Sequence, residues 1–223
     1  STHDLLPDLA NNAMITSIEE DTENLYFATD GNGLLLLNKH SYHLTRLSHE
    51  SKSPLLSNRL TSVFIDTQQR LWVASFDAGI SVSDSPEADV WRHYSSQNTA
   101  LASDYVHTIY EDQQNRIWIG TEAGMSLLNS FNDFTTFNVE SGLKDNKVLS
   151  VLQDPSGLLW LGTYSGISKG IEMPFEKVDK GLASNVVLGI TETFSSTGNR
   201  SLWVAGYEGL TRLNSDGHVE QVL

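Results

Sequence analysis

Aspartates recur at a fixed distance before an aromatic residue, and they are the first residues whose type and spacing suggest chemistry. Asp66, Asp112 and Asp154 each lie six residues before a tryptophan, and Asp21 lies five residues before a tyrosine. A catalytic site normally needs one asymmetric constellation, whereas equivalent aspartates are typical of a repeated turn in which the carboxylate accepts hydrogen bonds from backbone N–H groups. The spacing therefore predicts structural positions rather than catalytic ones. These positions are Asp21, Asp66, Asp112, Asp154, Tyr26, Trp72, Trp118, Trp160 and Trp203.

Two further patterns resemble chemical sites but have simpler interpretations. The pattern G-x-S-x-G spans residues 166–170, and in hydrolases it forms a strand-to-helix elbow that exposes a nucleophilic serine. No helical period follows it here, so we interpret the segment as a strand. The seven histidines include His40 and His43, three residues apart, but none has the spacing typical of a zinc site. The sequence therefore predicts no catalytic residue, no metal site and no cofactor.

The charge balance argues against two classes of partner. The 223 residues include 14 Lys and Arg against 28 Asp and Glu, for a formal net charge of −14. Nucleic-acid binding needs a basic face, and anionic membrane surfaces attract the same residue types, so neither partner is expected. The chain also has no cysteine, which excludes disulfides and thiolate ligands.

The aromatic positions recur every 42 to 46 residues and divide the chain into five similar units. Each unit contains four short apolar or β-branched segments separated by turn residues, and this period is typical of a four-stranded propeller blade. In the third unit we predict strands at 106–111, 117–121, 125–128 and 134–139. The sequence therefore predicts an all-β fold, a β-propeller of four-stranded antiparallel blades in which residues 1–223 form a single domain or a fragment of one. The expected blades span about 9–54, 55–100, 101–142, 143–181 and 182–223.

The third unit resembles the two-component regulator propeller repeat through the pattern V-x-x-I-x-x-D-x-x-x-x-I-W-I-G-T-x-x-G, which begins at Val106 and ends at Gly124. The fourth unit resembles the same repeat over residues 148–166. The resemblance implies a periplasmic or other extracytoplasmic sensor region of a bacterial receptor, with a histidine kinase or a diguanylate cyclase on the cytoplasmic side. The full-length protein is then expected to be membrane-anchored, although this segment itself would not contact the membrane.

The resemblance also implies a seven-bladed propeller, so we expect the five blades to form part of a larger one. The alternative is a closed ring of five blades, since propellers close over about 4–8 blades. The flat apolar faces of the first and last blades would then be exposed. Exposed patches of this kind promote association between copies. We therefore expect self-association through these blade faces.

Candidate ligand-binding residues lie where the repeat permits variation. In a propeller the turns between the second and third strands of each blade surround one mouth of the central channel. Aromatic and acidic residues in such turns can bind an apolar surface, a cation, an amine or sugar hydroxyls, although ordinary hydrophilic turns are an equally good interpretation. The candidates are Asp30, Asn32, Phe76, Asp77, Glu122, Tyr164, Tyr207 and Glu208.

Three functions remain open at this point. The first is a non-catalytic sensor that binds a small molecule, a glycan or a protein outside the membrane. The second is a propeller enzyme of the lyase or glycan-cleaving type, for which His107 is the histidine predicted near the channel. The third is a scaffold for protein partners. The resemblance favours the sensor.

Overall fold

Five four-stranded sheets make up the part of the chain that the structure describes. The structure is a computed structural model, and it describes residues 14–50, 55–85, 90–129, 133–171, 175–178 and 181–223. Each sheet runs in simple chain order, and we name its strands A to D. The predicted all-β architecture of five four-stranded antiparallel blades is therefore confirmed.

The strands have the following bounds. The first sheet contains β1 Met14–Glu20, β2 Asn24–Asp30, β3 Gly33–Asn38 and β4 Leu44–Leu47. The second contains β5 Leu60–Ile65, β6 Leu71–Ser75, β7 Ile80–Ser83 and β8 Arg92–Tyr94. The third contains β9 Val106–Glu111, β10 Ile117–Thr121, β11 Gly124–Leu128 and β12 Phe134–Phe137. The fourth contains β13 Val148–Gln153, β14 Leu159–Thr163, β15 Gly166–Gly170 and β16 Glu176–Val178. The fifth contains β17 Val187–Phe194, β18 Arg200–Gly206, β19 Gly209–Leu213 and β20 Val219–Val222.

The strands predicted in the third unit can be compared directly with the structure. The first two have the predicted bounds, and the third begins one residue earlier, at Gly124. The fourth ends at Phe137 rather than at residue 139, because the Asn138 side chain caps a short 3₁₀ helix, Val139–Ser141. The G-x-S-x-G segment is strand β15, as interpreted from its pattern.

Glycine at the start of strand C lets the B–C turn lie directly against strand D. Gly33 and Gly79 both have a φ of 75°, in the left-handed region that favours glycine. A Cβ atom at Gly79 would lie 2.1 Å from the carbonyl oxygen of Tyr94, and one at Gly33 would lie 2.3 Å from that of Leu47. Because backbone atoms occupy the space of a side chain, glycine sets the position of the turns that carry the candidate residues.

In the third sheet the recurrent aspartate connects the A–B turn to the indole of strand B. One oxygen of Asp112 accepts hydrogen bonds from the backbone N–H groups of Gln114 and Arg116, each at 2.9 Å. The other oxygen accepts the indole N–H of Trp118 at 2.7 Å and the Arg116 Nε–H at 2.6 Å. The guanidinium of Arg116 also lies over the Trp118 ring. Both Asp112 and Trp118 are buried, so this network satisfies a charge within the core.

The second and fourth sheets repeat this arrangement with one difference. Asp66 accepts the Trp72 indole N–H at 2.8 Å and the Arg70 Nε–H at 2.5 Å. Asp154 accepts the Trp160 indole N–H at 2.9 Å, but residue 158, where the other two sheets have an arginine, is a leucine. The missing cation is supplied by β18 of the next sheet, whose Arg200 Nη1 lies 2.7 Å from Asp154 Oδ2.

The first and fifth sheets replace one partner of the pair. Tyr26 substitutes for tryptophan, and its hydroxyl donates to Asp21 Oδ2 at 2.5 Å. The fifth sheet has no aspartate at this place, and the Trp203 indole N–H donates to the hydroxyl of Thr193 at 2.9 Å. Trp203 is half-buried, whereas Trp72, Trp118 and Trp160 are fully buried.

The described residues fall into two compact units. The first extends to Thr99 and includes 104–109, and the second contains 100–103 and 110–223. In each unit an aromatic residue packs against aliphatic residues of the following sheet. In the first unit the packed residues include Tyr26, Leu55, Leu60, Val63, Leu71 and Val73. In the second they include Trp118, Leu143, Val148, Leu159 and Leu161, and separately Trp160, Val187, Leu202 and Val204. Within the described segments no helix is long and apolar enough to span a membrane.

Candidate functional site

The eight candidate residues lie at the ends of strand B and in the B–C turns of their sheets. Asp30 is the last residue of β2, and the other seven lie between a strand B and the following strand C. The first unit contains Asp30, Asn32, Phe76 and Asp77, and the second contains Glu122, Tyr164, Tyr207 and Glu208. None of the eight is buried.

In the first unit an arginine joins two of the candidate turns. Arg59, which directly precedes β5, pairs with Asp30 across a 3.0 Å contact between Nε and Oδ1. The same guanidinium carbon lies 5.0 Å from the centre of the Phe76 ring. The backbone supports this arrangement, because the Phe76 N–H donates to the Arg59 carbonyl at 3.0 Å and residues 30 and 59 form a β-bridge. The hydrogen bond from Arg59 to Asp30 raises the pKa of the arginine.

Two more rings continue this cluster within the first unit. The Phe76 and Tyr105 rings meet edge to face, with centroids 5.0 Å apart, and the Tyr105 and His107 rings lie 4.6 Å apart. Edge-to-face pairs at this separation are favourable beyond the area that they bury. Asp77, the residue after Phe76, is exposed and adds a negative charge close to Arg59. We call Asp30, Arg59, Phe76, Asp77 and Tyr105 the arginine cluster.

The turn at Asn32 is held in place by its neighbours. The carbonyl oxygen of Asn32 accepts the Nε–H of Arg46 at 2.8 Å. The carbonyl oxygen of Asn58 accepts the backbone N–H groups of Gly31 and Gly33, both at 2.9 Å. The connection that precedes strand A therefore fixes the B–C turn of the preceding sheet, and the arginine cluster is built on ordered backbone.

The second unit contains a similar arrangement with lysine in place of arginine. Lys147, which directly precedes β13, pairs with Glu122 at 3.1 Å, and its Nζ lies 5.1 Å from the centre of the Tyr164 ring. The Tyr164 N–H donates to the Lys147 carbonyl at 3.0 Å. Asp145 accepts the hydroxyl proton of Ser165, the residue after Tyr164. A cation again lies between a carboxylate of one turn and a ring of the next.

The last two candidates lie in the β18–β19 turn, and both are exposed. The Tyr207 side chain is 75% exposed, compared with 50% for Tyr164. Glu208 is also exposed. No ring contact or ion pair is present at either residue in the described part of the chain. Their role as ligand-binding residues stays a prediction.

Sequence reasoning missed the two cations. Arg59, Tyr105 and Lys147 each lie 13 residues before the tryptophan of their own unit, so a second variable position of the repeat was visible in the sequence. The acidic turns were expected to bind a cation or an amine of a ligand. Asp30 and Glu122 each already have a cationic partner within the protein.

A separate concavity in the second unit does not involve the B–C turns. It has a volume of about 390 Å³ and is lined by residues of the outer strands and the C–D turn, among them Lys169, Lys177 and His218. Lys169 is engaged there, because its Nζ lies over the Trp160 ring and donates to the Asp216 carbonyl at 3.0 Å. In the described residues no group of three or more His, Cys, Asp and Glu is arranged to hold a metal ion.

Comparison with known proteins agrees with the repeat pattern. The family model described as the two-component regulator propeller matches residues 100–123 and 142–165. These segments contain strands A and B of the third and fourth sheets together with Tyr105, Glu122, Lys147 and Tyr164. The predicted resemblance is therefore confirmed for these two repeats. Among the curated proteins none matches the chain.

Solved structures share the fold at low sequence identity. The extracellular domain of a protein assigned to a one component system of B. thetaiotaomicron matches with a TM-score of 0.72 and 20% identity over 95% of this chain. Virginiamycin B lyase from Staphylococcus aureus matches with a TM-score of 0.70 and 12% identity over 94% of this chain and 69% of its own. The chain spans only 31% of the B. thetaiotaomicron structure. These likenesses establish the propeller fold alone.

Proposed function

We propose, from the premise that two of its five sheets carry two-component regulator propeller repeats, that this chain is a sensor domain of a bacterial signal-transduction receptor. The domain binds its ligand without transforming it, at the B–C turns. It does so outside the cytoplasm, as part of a receptor anchored in the membrane. The match of the family model over residues 100–123 and 142–165 is the observation that carries this proposal.

The turn residues supply the recognition in this proposal. Phe76 and Tyr164 present aromatic surface next to a fixed cation, and Tyr207 presents an exposed ring. Aromatic side chains bring a large contact area at a small cost in conformational entropy. A small molecule, a glycan or a protein segment with apolar and polar groups can use such surfaces. Binding energy then becomes available to shift a receptor between two states.

The lyase remains the competing function, because virginiamycin B lyase has the same fold. An enzyme of that kind needs an acid or base that contacts the substrate. His107 lies on β9, and its ring contacts that of Tyr105. If the chain is an enzyme, we assign the role of acid or base to His107. The two functions make different predictions for the fate of a bound compound.

The experiment is a ligand screen of the purified chain by thermal shift, followed by mass spectrometry of each compound that stabilises it. A sensor gives saturable stabilisation and returns the compound unchanged. Conversion of the compound, abolished by His107→Ala, would replace the sensor with the enzyme. No stabilisation by any small molecule or glycan, combined with capture of a protein, would favour the scaffold.

Substitutions in the turns locate the site. Tyr164→Ala and Tyr207→Ala are expected to weaken binding, whereas Tyr42→Ala is the matched control. Tyr42 is 59% exposed but lies between β3 and β4, away from the B–C turns. An equal loss of binding in all three variants would contradict the assignment of the site.

A further inference from the structure

The Arg59 guanidinium in the arginine cluster is held on two sides and open on a third. Its Nε–H donates to Asp30 Oδ1 at 3.0 Å, and its guanidinium carbon lies over the Phe76 ring, 5.0 Å from the ring centre. The ion pair with Asp30 and the contact with the Phe76 ring restrict the rotamers of Arg59 before any ligand arrives. Less entropy is then lost for each hydrogen bond that a ligand makes.

The open side carries the two terminal amino groups of Arg59. Neither Nη1 nor Nη2 has a hydrogen-bond partner in the described residues, and the side chain is 55% exposed. The N–H groups along this edge form the planar fork that matches the two oxygens of a carboxylate. Two aromatic rings lie beside this fork. The guanidinium carbon lies over the Phe76 ring, and the Phe76 and Tyr105 rings are packed edge to face.

Local charge restricts the anion that can bind. Asp30 and Asp77 place two negative charges around the single positive charge of Arg59, and the whole chain carries −14. The three local charges sum to −1, so every negative charge on a ligand is repelled and a second one adds to the cost. The two hydrogen bonds of the arginine fork can offset the repulsion of one carboxylate. A dianionic phosphate is therefore disfavoured.

We propose that the arginine cluster binds the carboxylate of a small organic monoacid whose planar apolar part lies against Phe76 and Tyr105. This inference rests on the proposed sensor function and names the class of ligand that the arginine cluster in the first unit would bind. The carboxylate accepts two hydrogen bonds from Arg59, and the apolar part of the acid replaces water at the rings.

Benzoate is the probe, and its binding to the whole chain is measured by isothermal titration calorimetry at low salt. Benzamide keeps the ring but removes the charge, acetate keeps the charge but removes the ring, and inorganic phosphate tests for any anion. Benzoate is expected to bind about tenfold more tightly than each of the other three. Benzamide loses the charge-assisted hydrogen bonds to Arg59, and acetate loses the apolar contact with the rings. Equal binding of phosphate and benzoate would show a nonspecific anion effect and overturn the proposal.

Three variants test the residue assignment. Arg59→Gln is expected to weaken benzoate binding by about tenfold or more, and Arg59→Lys by a similar factor because lysine keeps the charge but not the fork. Arg92→Gln is the matched control, since Arg92 is 47% exposed and pairs with Asp84 at 3.0 Å without a described ring contact. It is expected to change binding less than twofold. Circular dichroism and the melting temperature establish that each variant is folded.

The outcomes separate this proposal from the sensor function. If benzoate does not bind, or if Arg59→Gln binds it as well as the unsubstituted chain does, the carboxylate site is wrong. The ligand screen described above still tests the sensor function in that case. If benzoate binds through Arg59 but the screen shows chemical conversion of bound compounds, the carboxylate site stands and the sensor function fails.

Discussion

The third and fifth sheets hold the same tryptophan of the repeat in different ways. Trp118 donates its indole N–H to the carboxylate of Asp112 at 2.7 Å and is fully buried. Trp203 donates to the hydroxyl of Thr193 at 2.9 Å and is half-buried. A charged acceptor strengthens a hydrogen bond about twofold, so the third sheet has the stronger anchor. The repeat therefore sets the position of the ring, whereas its hydrogen-bond acceptor and its burial set its contribution to stability.

The largest effect is expected from removing the two rings. Trp118→Ala should lower the free energy of unfolding by about 3–5 kcal/mol, because it leaves a cavity and removes one hydrogen bond to the buried carboxylate of Asp112. Trp203→Ala should lower it by about 1–2 kcal/mol, because less buried area is lost. Urea denaturation of both variants measures the difference. Equal losses would show that Trp118 and Trp203 contribute equally to stability and would contradict the stronger anchor assigned to the third sheet.

The next largest loss of stability is expected from removing Arg200, which pairs with an aspartate of the fourth sheet. Arg200→Ala should lower the free energy of unfolding by about 2–3 kcal/mol, because Asp154 then keeps its buried charge without the cation at 2.7 Å. Arg212→Ala, in the same sheet, removes an exposed pair with Glu220 at 3.3 Å and a hydrogen bond to the Ser201 hydroxyl at 3.0 Å, and it should cost about 1 kcal/mol. The same denaturation experiment applies. A smaller loss for Arg200 than for Arg212 would contradict the role of the fourth-sheet network.

Acid should weaken the same network. Burial by itself would raise the pKa of Asp154, but hydrogen bonds from Ser156, Trp160 and Arg200 lower it from 3.8 to about 2. Because the folded-state pKa lies below the unfolded one, the stabilisation is complete above pH 4 and is lost as the pH falls through 2. It amounts to about 2 kcal/mol. Urea titrations between pH 7 and pH 2 should show a shallower decline in Asp154→Asn, and an unchanged decline would sink this assignment.

The smallest effect is expected at the exposed turns. Tyr164→Ala and Tyr207→Ala should each change the free energy of unfolding by less than about 1 kcal/mol, because both side chains are at least half exposed. Thermal unfolding checks this expectation. A variant that fails to fold would show that the ring belongs to the packing of its sheet rather than to a binding surface.

Strands and turns could be predicted because their causes are local. Strands β9 and β10 and the turn between them span only 16 residues, so their pattern of apolar and turn residues is local. Both strands have the predicted bounds. The sharp end of β12 was missed, because a single side chain, that of Asn138, starts a helical turn there. Capping by one residue is a weak signal beside the alternation of a strand.

The candidate site was only partly predictable. The turn residues were found because they vary between units, but Arg59 and Lys147 were not, because each acts on a carboxylate 25 or more residues away in the chain. The fourth sheet lacks an arginine in its own A–B turn and uses Arg200 instead. This could not be predicted for the same reason, since Asp154 lies 46 residues before Arg200. Such pairs follow from the packing of one sheet on the next.

The sequence by itself determined the number of sheets, their strand order and the register of the aromatic anchors. These features repeat every 42 to 46 residues and depend on local hydrophobic pattern and turn chemistry. Only the tertiary structure decided which charges meet. Cations from the connections before strand A reach the turns of the preceding sheet, and Coulomb interactions act through space without regard to chain distance. The arginine cluster exists for that reason, and the candidate ligand chemistry follows from it.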